Sequence, residues 1–393
     1  MVLSKITTPA YICDESQLEK NLQLLKKVSD ESGLNIIMAL KGFALWGTFD
    51  LVRKYISGIS ASGLHEAMLG YETVTNINQT ELHTYSAGFN PNEIDRIAKI
   101  SSHIVFNSLS QLEKYFDFVK NINPNISIGL RVNPQHSTTS TELYDACSPY
   151  SRFGVKAENL QKALDDKDSQ ISKYLKQING VHFHALCEQG SDDLEGLFGA
   201  FEDKFSSIFP QLENLKWINM GGGHLITRKD YDVEKLINFI KSLYKKYDYK
   251  FYIEPSEAIG WQTGILVAEV LDIVENGMKI AILDASAETH MPDVLAMPYT
   301  PNVVGATKPY EREFTYRLAG NSCLAGDVIG DYSFDEELKI GDKIIFEDMI
   351  HYTMVKNTTF NGLPLPTIAV IKKDGNLKII KRFGYTDYKN RLS

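Results

Sequence analysis

A chain of 393 residues is longer than one ordinary core requires, and 43% apolar with 23% charged residues is the composition of a globular protein. The formal net charge of −9, with no basic block, argues against nucleic acid as a partner and is compatible with a cationic ligand. No run of about 18 apolar residues offers a membrane span, and Cys13, Cys147, Cys187 and Cys323 lie far apart without CxxC spacing, which argues against a zinc site or a disulfide framework and fits a reducing cytoplasm.

In chain order, Met1–Lys5 leads into Pro9 without the apolar stretch of a secretion signal, so a cytoplasmic location is expected. Leu18, Leu22, Leu25 and Val28 recur at spacings of three and four and predict a helix over 14–32, with Asp14 and Gln17 as a capping box. Eight short apolar runs follow: Asn35–Leu40, Gly58–Ala61, Leu82–Ser86, His103–Asn107, Ser127–Val132, Gly180–His184, Trp217–Met220 and Phe251–Glu254. The gaps have room for helices, for example Pro91–Ser101, Ser110–Asn121, Leu160–Ile178 and Asp232–Tyr247. Alternating β and α units imply a parallel sheet, and eight of them suggest a closed (β/α)8 barrel, with an open doubly wound sheet as the alternative.

After Pro255 the helical pattern fades. Strand-like runs take over at Gly264–Val274, Lys279–Leu283, Thr315–Leu318, Lys343–Phe346 and Thr367–Ile371. Residues 368–371 and 377–380 read as a hairpin turning at Asp374-Gly375. The expected architecture is α/β: a TIM-like barrel over 14–255 and a mostly β domain, sandwich- or barrel-like, from 1–13 and 256–393.

In a barrel the chemistry sits at the C-terminal ends of the strands. Lys41 follows the first run, His182 and His184 lie in the sixth, Gly221, Gly222 and Gly223 follow the seventh, and Glu254 ends the eighth. Glycines let backbone N–H groups approach a phosphate, although a tight turn without a ligand would read the same way. A lysine at the end of an apolar strand loses hydration, which lowers its pKa and makes its amine a nucleophile. A histidine ring could stack on a flat cofactor. Period two puts His182 and His184 on one side of the strand, so only position nearer the rim favours His184. A carboxylate at Glu254 could keep a pyridine nitrogen protonated.

These residues carry a resemblance. The stretches Ala39–Phe43 (ALKGF), His182–Glu188 (HFHALCE), Asn219–His224 (NMGGGH), Glu254–Ala258 (EPSEA), Asp284–Asp293 (DASAETHMPD) and Gly320–Asp327 (GNSCLAGD) resemble those of the alanine-racemase-fold (fold type III) pyridoxal-phosphate decarboxylases. That family includes the ornithine, arginine and diaminopimelate enzymes. Within it the chain is most similar to the branch acting on carboxylated polyamines, and the likeness spans nearly the whole chain. The resemblance implies pyridoxal 5′-phosphate bound covalently by Lys41, stacked under His184, paired through its ring nitrogen with Glu254 and bound through its phosphate by Gly221–Gly223. It further implies Arg131 near the cofactor's phenolic oxygen, Tyr352 at the phosphate, and Cys323 returning a proton across the interface of a homodimer with shared active sites. Two positions depart from the eukaryotic ornithine enzymes: Glu257 stands where they have an arginine, and Cys187 where a phosphate-binding serine is usual.

The expected reaction is decarboxylation of a small amino acid with a positively charged tail. Glu188, Glu257, Asp284, Asp293 and Asp327 lie in these stretches and would attract that tail, whereas a diacid substrate would need arginines there. The alternatives are a diaminopimelate or basic amino-acid decarboxylase on the same scaffold, a racemase, or a cofactor-less regulator. No metal is expected.

Overall fold

Local sequence accounts for the first elements. The computed structural model describes residues 6–139 and 141–393, so Met1–Lys5, read above for a secretion signal, lies outside the described residues. Strand β1 (Ala10–Asp14) runs directly into helix α1 (Glu15–Ser32), whose Leu18, Leu22, Leu25 and Val28 are all buried. Half of the expected capping box forms. Asp14 Oδ1 accepts the N–H groups of Ser16 (2.8 Å) and Gln17 (3.1 Å), but the Gln17 side chain accepts from Lys20 Nζ instead (2.9 Å). The chain divides into two compact units within α1: Asn21–Ile259 is one, and the chain up to Lys20 with Gly260–Ser393 is the other.

The Asn21–Ile259 unit is a closed barrel of eight parallel strands: β2 (Asn35–Ala39), β3 (Gly58–Ala61), β4 (Glu81–Tyr85), β5 (His103–Phe106), β6 (Ser127–Arg131), β7 (Gly180–His182), β8 (Trp217–Asn219) and β9 (Lys250–Ile253). It closes where Asn35 and Ile36 of β2 pair with Tyr252 and Ile253 of β9. The strands are buried on both faces, which is why they read as continuous apolar runs. The expected barrel is therefore present and the open sheet is not. β7 is shorter than its apolar run. His182 makes the last pairing, with Asn219, so His184 stands on the loop beyond the strand.

Helices cover the outside, among them α2 (Leu109–Ile122), α3 (Ser191–Phe205) and α4 (Val233–Lys246). Side-chain oxygens of Ser108 and Asp232 cap α2 and α4. The single helix expected over 160–178 is two, Ala157–Asp165 and Gln170–Leu175. Ser169 breaks it by capping the second piece, its oxygen taking the Ser172 N–H at 3.2 Å. Inside the barrel Trp217 packs with Ile37, Val105 and Tyr252. A Cβ at Gly180 would meet the Trp217 ring at 2.0 Å, so this position accepts only glycine.

The second unit is a mixed sheet built on β10 (Gly264–Glu275), with β11 (Lys279–Leu283), β12 (Phe314–Ala319), β13 (Val328–Phe334), β14 (Lys343–Glu347), β15 (Thr367–Ile371) and β16 (Leu377–Lys381). Its order is β13-β12-β11-β10-β1-β15-β16, with β14 also on β10. The β15–β16 hairpin turns where expected, with Gly375 at φ +81°. β1 and β13 were not anticipated as strands. β13 contains Gly330 and Asp331, poor strand formers, and is held by long-range pairing to β12, where Arg317 grips Asp331 at 2.7 and 3.0 Å. Among the described residues no helix is long and apolar enough to cross a membrane.

Candidate active site

The C-terminal ends of β2, β6, β7, β8 and β9 bring five features together. Lys41 sits just past β2, and its Nζ lies 3.5 Å from His184 Nε2. Burial lowers the Lys41 pKa, and the nearby Arg131 cation adds to this against the opposing pull of Glu254 and Glu66. The Gly222 N–H donates to His184 Nδ1 at 3.3 Å, which places the ring proton on Nε2, facing the lysine. An unprotonated amine is the partner that can accept it. Burial holds His184 well below its ordinary value, so the ring is neutral.

Periodicity left His182 and His184 unresolved, and the geometry separates them. His184 touches the lysine, the glycine turn and, through its carbonyl, Arg131 Nη2 (3.0 Å). His182 is buried behind it, 4.0 Å from Glu254, with its pKa pushed by burial down to about 3. The Arg131 guanidinium is clamped between the rings of Tyr85 (4.7 Å) and Phe153 (4.2 Å).

Glu254 follows β9 and is buried, 3.9 Å from His184 Nδ1. Burial alone would raise its pKa. The surrounding histidine and lysine groups and a hydrogen bond from Asn219 outweigh that and leave it lowered, so the carboxylate is ionised. Because His182 is itself neutral near pH 7, the hydrogen bond from Asn219 is the partner that matters most there. The glycine turn is shaped by crowding. A Cβ at Gly221, Gly222 or Gly223 would come within 2.6, 2.5 or 2.1 Å of protein atoms, and Gly221 and Gly223 have φ of +73° and +88°.

Of the acids expected to hold a cationic tail, Glu188 is exposed and Glu257 half-buried, and they flank Cys187. Burial and these two carboxylates push the Cys187 thiol up to about 11. The sheet unit holds the rest. Asp327 is buried and accepts from Ser286 Oγ (2.8 Å), the Ala287 N–H (2.8 Å) and the Ser322 N–H (3.2 Å). These bonds make Asp327 a clasp that shapes the 320–327 loop. Asp293 is neutralised by an ion pair with Lys356, and Asp284 accepts the Glu269 N–H at 2.7 Å. Cys323 is exposed on the same loop, its N–H donating to Asn361 Oδ1 (2.6 Å), and Tyr352 begins the short helix Tyr352–Val355.

Three barrel residues escaped the sequence reading. Glu66, half-buried and accepting the Ser62 N–H at 2.7 Å, adds a second carboxylate near Lys41. Tyr85 supports Arg131, and Asn219 bonds Glu254. Tyr85 and Asn219 end their strands and Asn219 also opens the NMGGGH stretch, whereas Glu66 lies in the helix after β3 and gave no such signal. Deeper in the barrel Glu81, His83 and His103 also cluster, with the two rings stacked face to face at 3.9 Å and Glu81 Oε2 3.3 Å from His83 Nε2.

Buried neutral histidines make stability depend on acid. His182 is held to about 3 and His224 to about 4 in the barrel, as is His290 to about 4 in the sheet unit, each chiefly by burial. Their folded values lie below the unfolded value of about 6.5, so the unfolded chain binds more protons between these limits. Stability is full above pH ~6.5 and is lost as pH falls, by up to about 1.4 kcal/mol per pH unit for each histidine. Melting of the cofactor-free protein at pH 7.5, 6 and 5 should show a steep fall in Tm; a flat profile would contradict the burial assigned to these rings.

A parallel barrel with a reactive amine, a flat neutral ring, a buried carboxylate and a glycine turn at one mouth defines an enzyme of the pyridoxal-dependent class. The family model for "Pyridoxal-dependent decarboxylase, C-terminal sheet domain" matches residues 10–350. The chain belongs to the pyridoxal-dependent decarboxylases. It is 47% identical to a carboxynorspermidine/carboxyspermidine decarboxylase of Campylobacter jejuni, with 100% of both chains covered. It is 40% identical to a carboxyaminopropylagmatine decarboxylase of Synechocystis, covering 99% of this chain and 96% of that one. The crystal structure of carboxynorspermidine decarboxylase from C. jejuni complexed with norspermidine superposes with a TM-score of 0.86 at 46% identity, covering 98% of this chain and 100% of that one.

Proposed function

We propose that this chain removes carbon dioxide from carboxynorspermidine and carboxyspermidine, releasing norspermidine and spermidine in polyamine biosynthesis, with pyridoxal 5′-phosphate as cofactor. The observation that carries the substrate choice is 47% identity over the full length of a relative of that name. The residues at the mouth fit the cofactor. The Gly221–Gly223 turn has no room for side chains, and because Asn219 and His184 hold the Gly221 and Gly222 N–H groups, a phosphate would meet the turn at Gly223. Glu254 is an ionised acceptor for a ring nitrogen, and Lys41 is an amine of lowered basicity suited to an aldehyde.

When bound, the cofactor supplies an electron sink for the charge left at the α-carbon. The chain's own groups do the rest. Lys41 anchors the cofactor and later moves a proton from its Nζ as product leaves. His184 offers a neutral face, held in its tautomer by the Gly222 N–H. Arg131, fixed by the His184 carbonyl and two rings, presents a positive charge beside Lys41. Glu188 and Glu257, carboxylates near Cys187, attract the cationic tail by opposite charge. Cys187 and Glu257 replace two phosphate contacts of the eukaryotic ornithine enzymes, so the glycine turn takes more of the phosphate. In a homodimer, the assembly implied by the family resemblance, the exposed Cys323 thiol returns a proton in the partner's site. Four free cysteines support a cytoplasmic location.

The 40% relative brings in carboxyaminopropylagmatine as a second carboxylated cation. Product identification by mass spectrometry on these three substrates, with diaminopimelate and ornithine alongside, tests the reading. The expected products are norspermidine and spermidine. Carbon dioxide released only from carboxyaminopropylagmatine would move the assignment to that substrate, and release only from diaminopimelate or ornithine would overturn it. A protein that gains no near-visible absorbance with the cofactor would favour a regulator.

A further inference from the structure

Asn219 closes β8 with its side chain fully buried and both ends of its amide engaged. Its Nδ2–H donates to Glu254 Oε1 at 2.7 Å, and its Oδ1 accepts the Gly221 N–H at 2.9 Å. The backbone repeats the link, with the Glu254 N–H donating to the Gly221 carbonyl at 2.7 Å. One side chain thus spans the carboxylate at the end of β9 and the first glycine of the turn after β8.

We propose that Asn219 is a positioning residue: it holds the Glu254 carboxylate as an oriented, ionised acceptor and ties it to the Gly221–Gly223 turn, so that one amide sets both ends of the cofactor site. The inference rests on the reading that Glu254 meets the ring nitrogen and the turn meets the phosphate. An amide is required because the two tasks are opposite. The Glu254 side needs a donor and the Gly221 side needs an acceptor. A hydrogen bond to the charged form favours that form, which in a buried site opposes the desolvation penalty.

Substitution at this position has a distinctive pH signature. In Asn219→Asp the Gly221 contact survives, but Glu254 faces a second carboxylate, and two buried like charges at that distance cannot both ionise. One proton is taken up. The shared folded pKa rises above its unfolded value, so the native bond is present at low pH and lost as pH rises. The other titratable groups facing Glu254 are His182 on β7, His184 beyond it, Lys41 after β2, and His83 and Tyr85 on β4. His182 is held to about 3 and His184 well below its ordinary value, so neither gains a proton between pH 5.5 and 8. Asn219→Leu keeps the shape and loses both bonds at every pH.

The test has two arms, each read as a difference from wild type so that acid loss from the buried histidines cancels. In cofactor-free protein, Asn219→Asp should melt well below wild type at pH 8 and converge on it at pH 5.5, while Asn219→Leu stays lower throughout. In Asn219→Asp/Glu254→Gln the carboxylate pair is gone, and the pH-dependent difference should vanish even if the single variant is poorly folded at pH 8. In the second arm, binding of pyridoxal 5′-phosphate by Asn219→Asp should be about 10- to 100-fold weaker at pH 8 and recover toward pH 5.5. A melting difference independent of pH in Asn219→Asp, or one that persists in the double variant, overturns the proposal. So does wild-type cofactor affinity in Asn219→Leu. Failure of wild type itself to bind the cofactor would sink the functional reading instead, and the melting arm would still report on the Asn219–Glu254 link.

Discussion

Lys41→Ala protein is expected to lose turnover by about 10^3-fold or more when incubated with cofactor and carboxylated polyamine. The argument is local. The Lys41 amine lies 3.5 Å from a histidine nitrogen that carries a proton, in a site that lowers its basicity. An amine of lowered basicity can bond an aldehyde carbon, and a methyl group cannot. Lys41→Arg should fail as badly, because a guanidinium stays protonated at any workable pH. The Tm of each variant, compared with wild type, separates loss of the amine from loss of fold. Steady-state turnover, with the near-visible absorbance of the loaded protein and its loss on borohydride reduction, checks the claim. A native rate in Lys41→Ala would remove the basis for the mechanism.

Changes at Glu254 should produce the second-largest effect and divide into two parts. Glu254→Gln retains an oxygen for the Asn219 N–H, so the fold should persist with little change in Tm at neutral pH. Its amide would face the cofactor nitrogen as a donor, the wrong polarity. Loss of an electrostatic group of this kind reduces kcat by about 10^2- to 10^3-fold. Glu254→Ala should lose activity to the same extent and stability as well. It leaves the buried Asn219 N–H without its partner, at a cost of about 1–3 kcal/mol. Parallel measurement of kcat and Tm separates the two parts. A Gln variant with native kcat would show that no group at this position needs to be charged.

The two effects differ because the residues act on different atoms. Lys41 supplies a bond, and Glu254 supplies a charge that keeps the site complementary to a protonated ring. Both are arranged before any ligand arrives, which is the condition under which electrostatic groups contribute most.

Much of the fold was legible in the order of residue types. Eight apolar runs separated by helix-length gaps can bury their strands only in a parallel sheet covered on both faces, and that pattern survives without knowledge of any contact. Asp374-Gly375 between two alternating runs specified the β15–β16 turn for the same reason: the rule is local. Other features depended on partners distant in the chain. β13 reads poorly because Gly330 and Asp331 disfavour strands, yet β12 supplies the pairing and the arginine that hold it. The helix over 160–178 breaks because a serine oxygen competes for a backbone N–H, an outcome periodicity cannot weigh.

At the site the same division holds. Residue type and position at strand ends were enough to single out Lys41, the glycine triplet and Glu254, because a barrel places all such ends on one rim. Which histidine faces the amine was open until the β7–β8 register ended at His182 and left His184 on the loop. How an acid is engaged was equally invisible, since Asp327 and a free aspartate look identical in one dimension; only burial and four hydrogen bonds mark it as a clasp. Periodic burial is a property of neighbours along the chain, whereas protonation and availability depend on what the folded chain brings within a few ångströms.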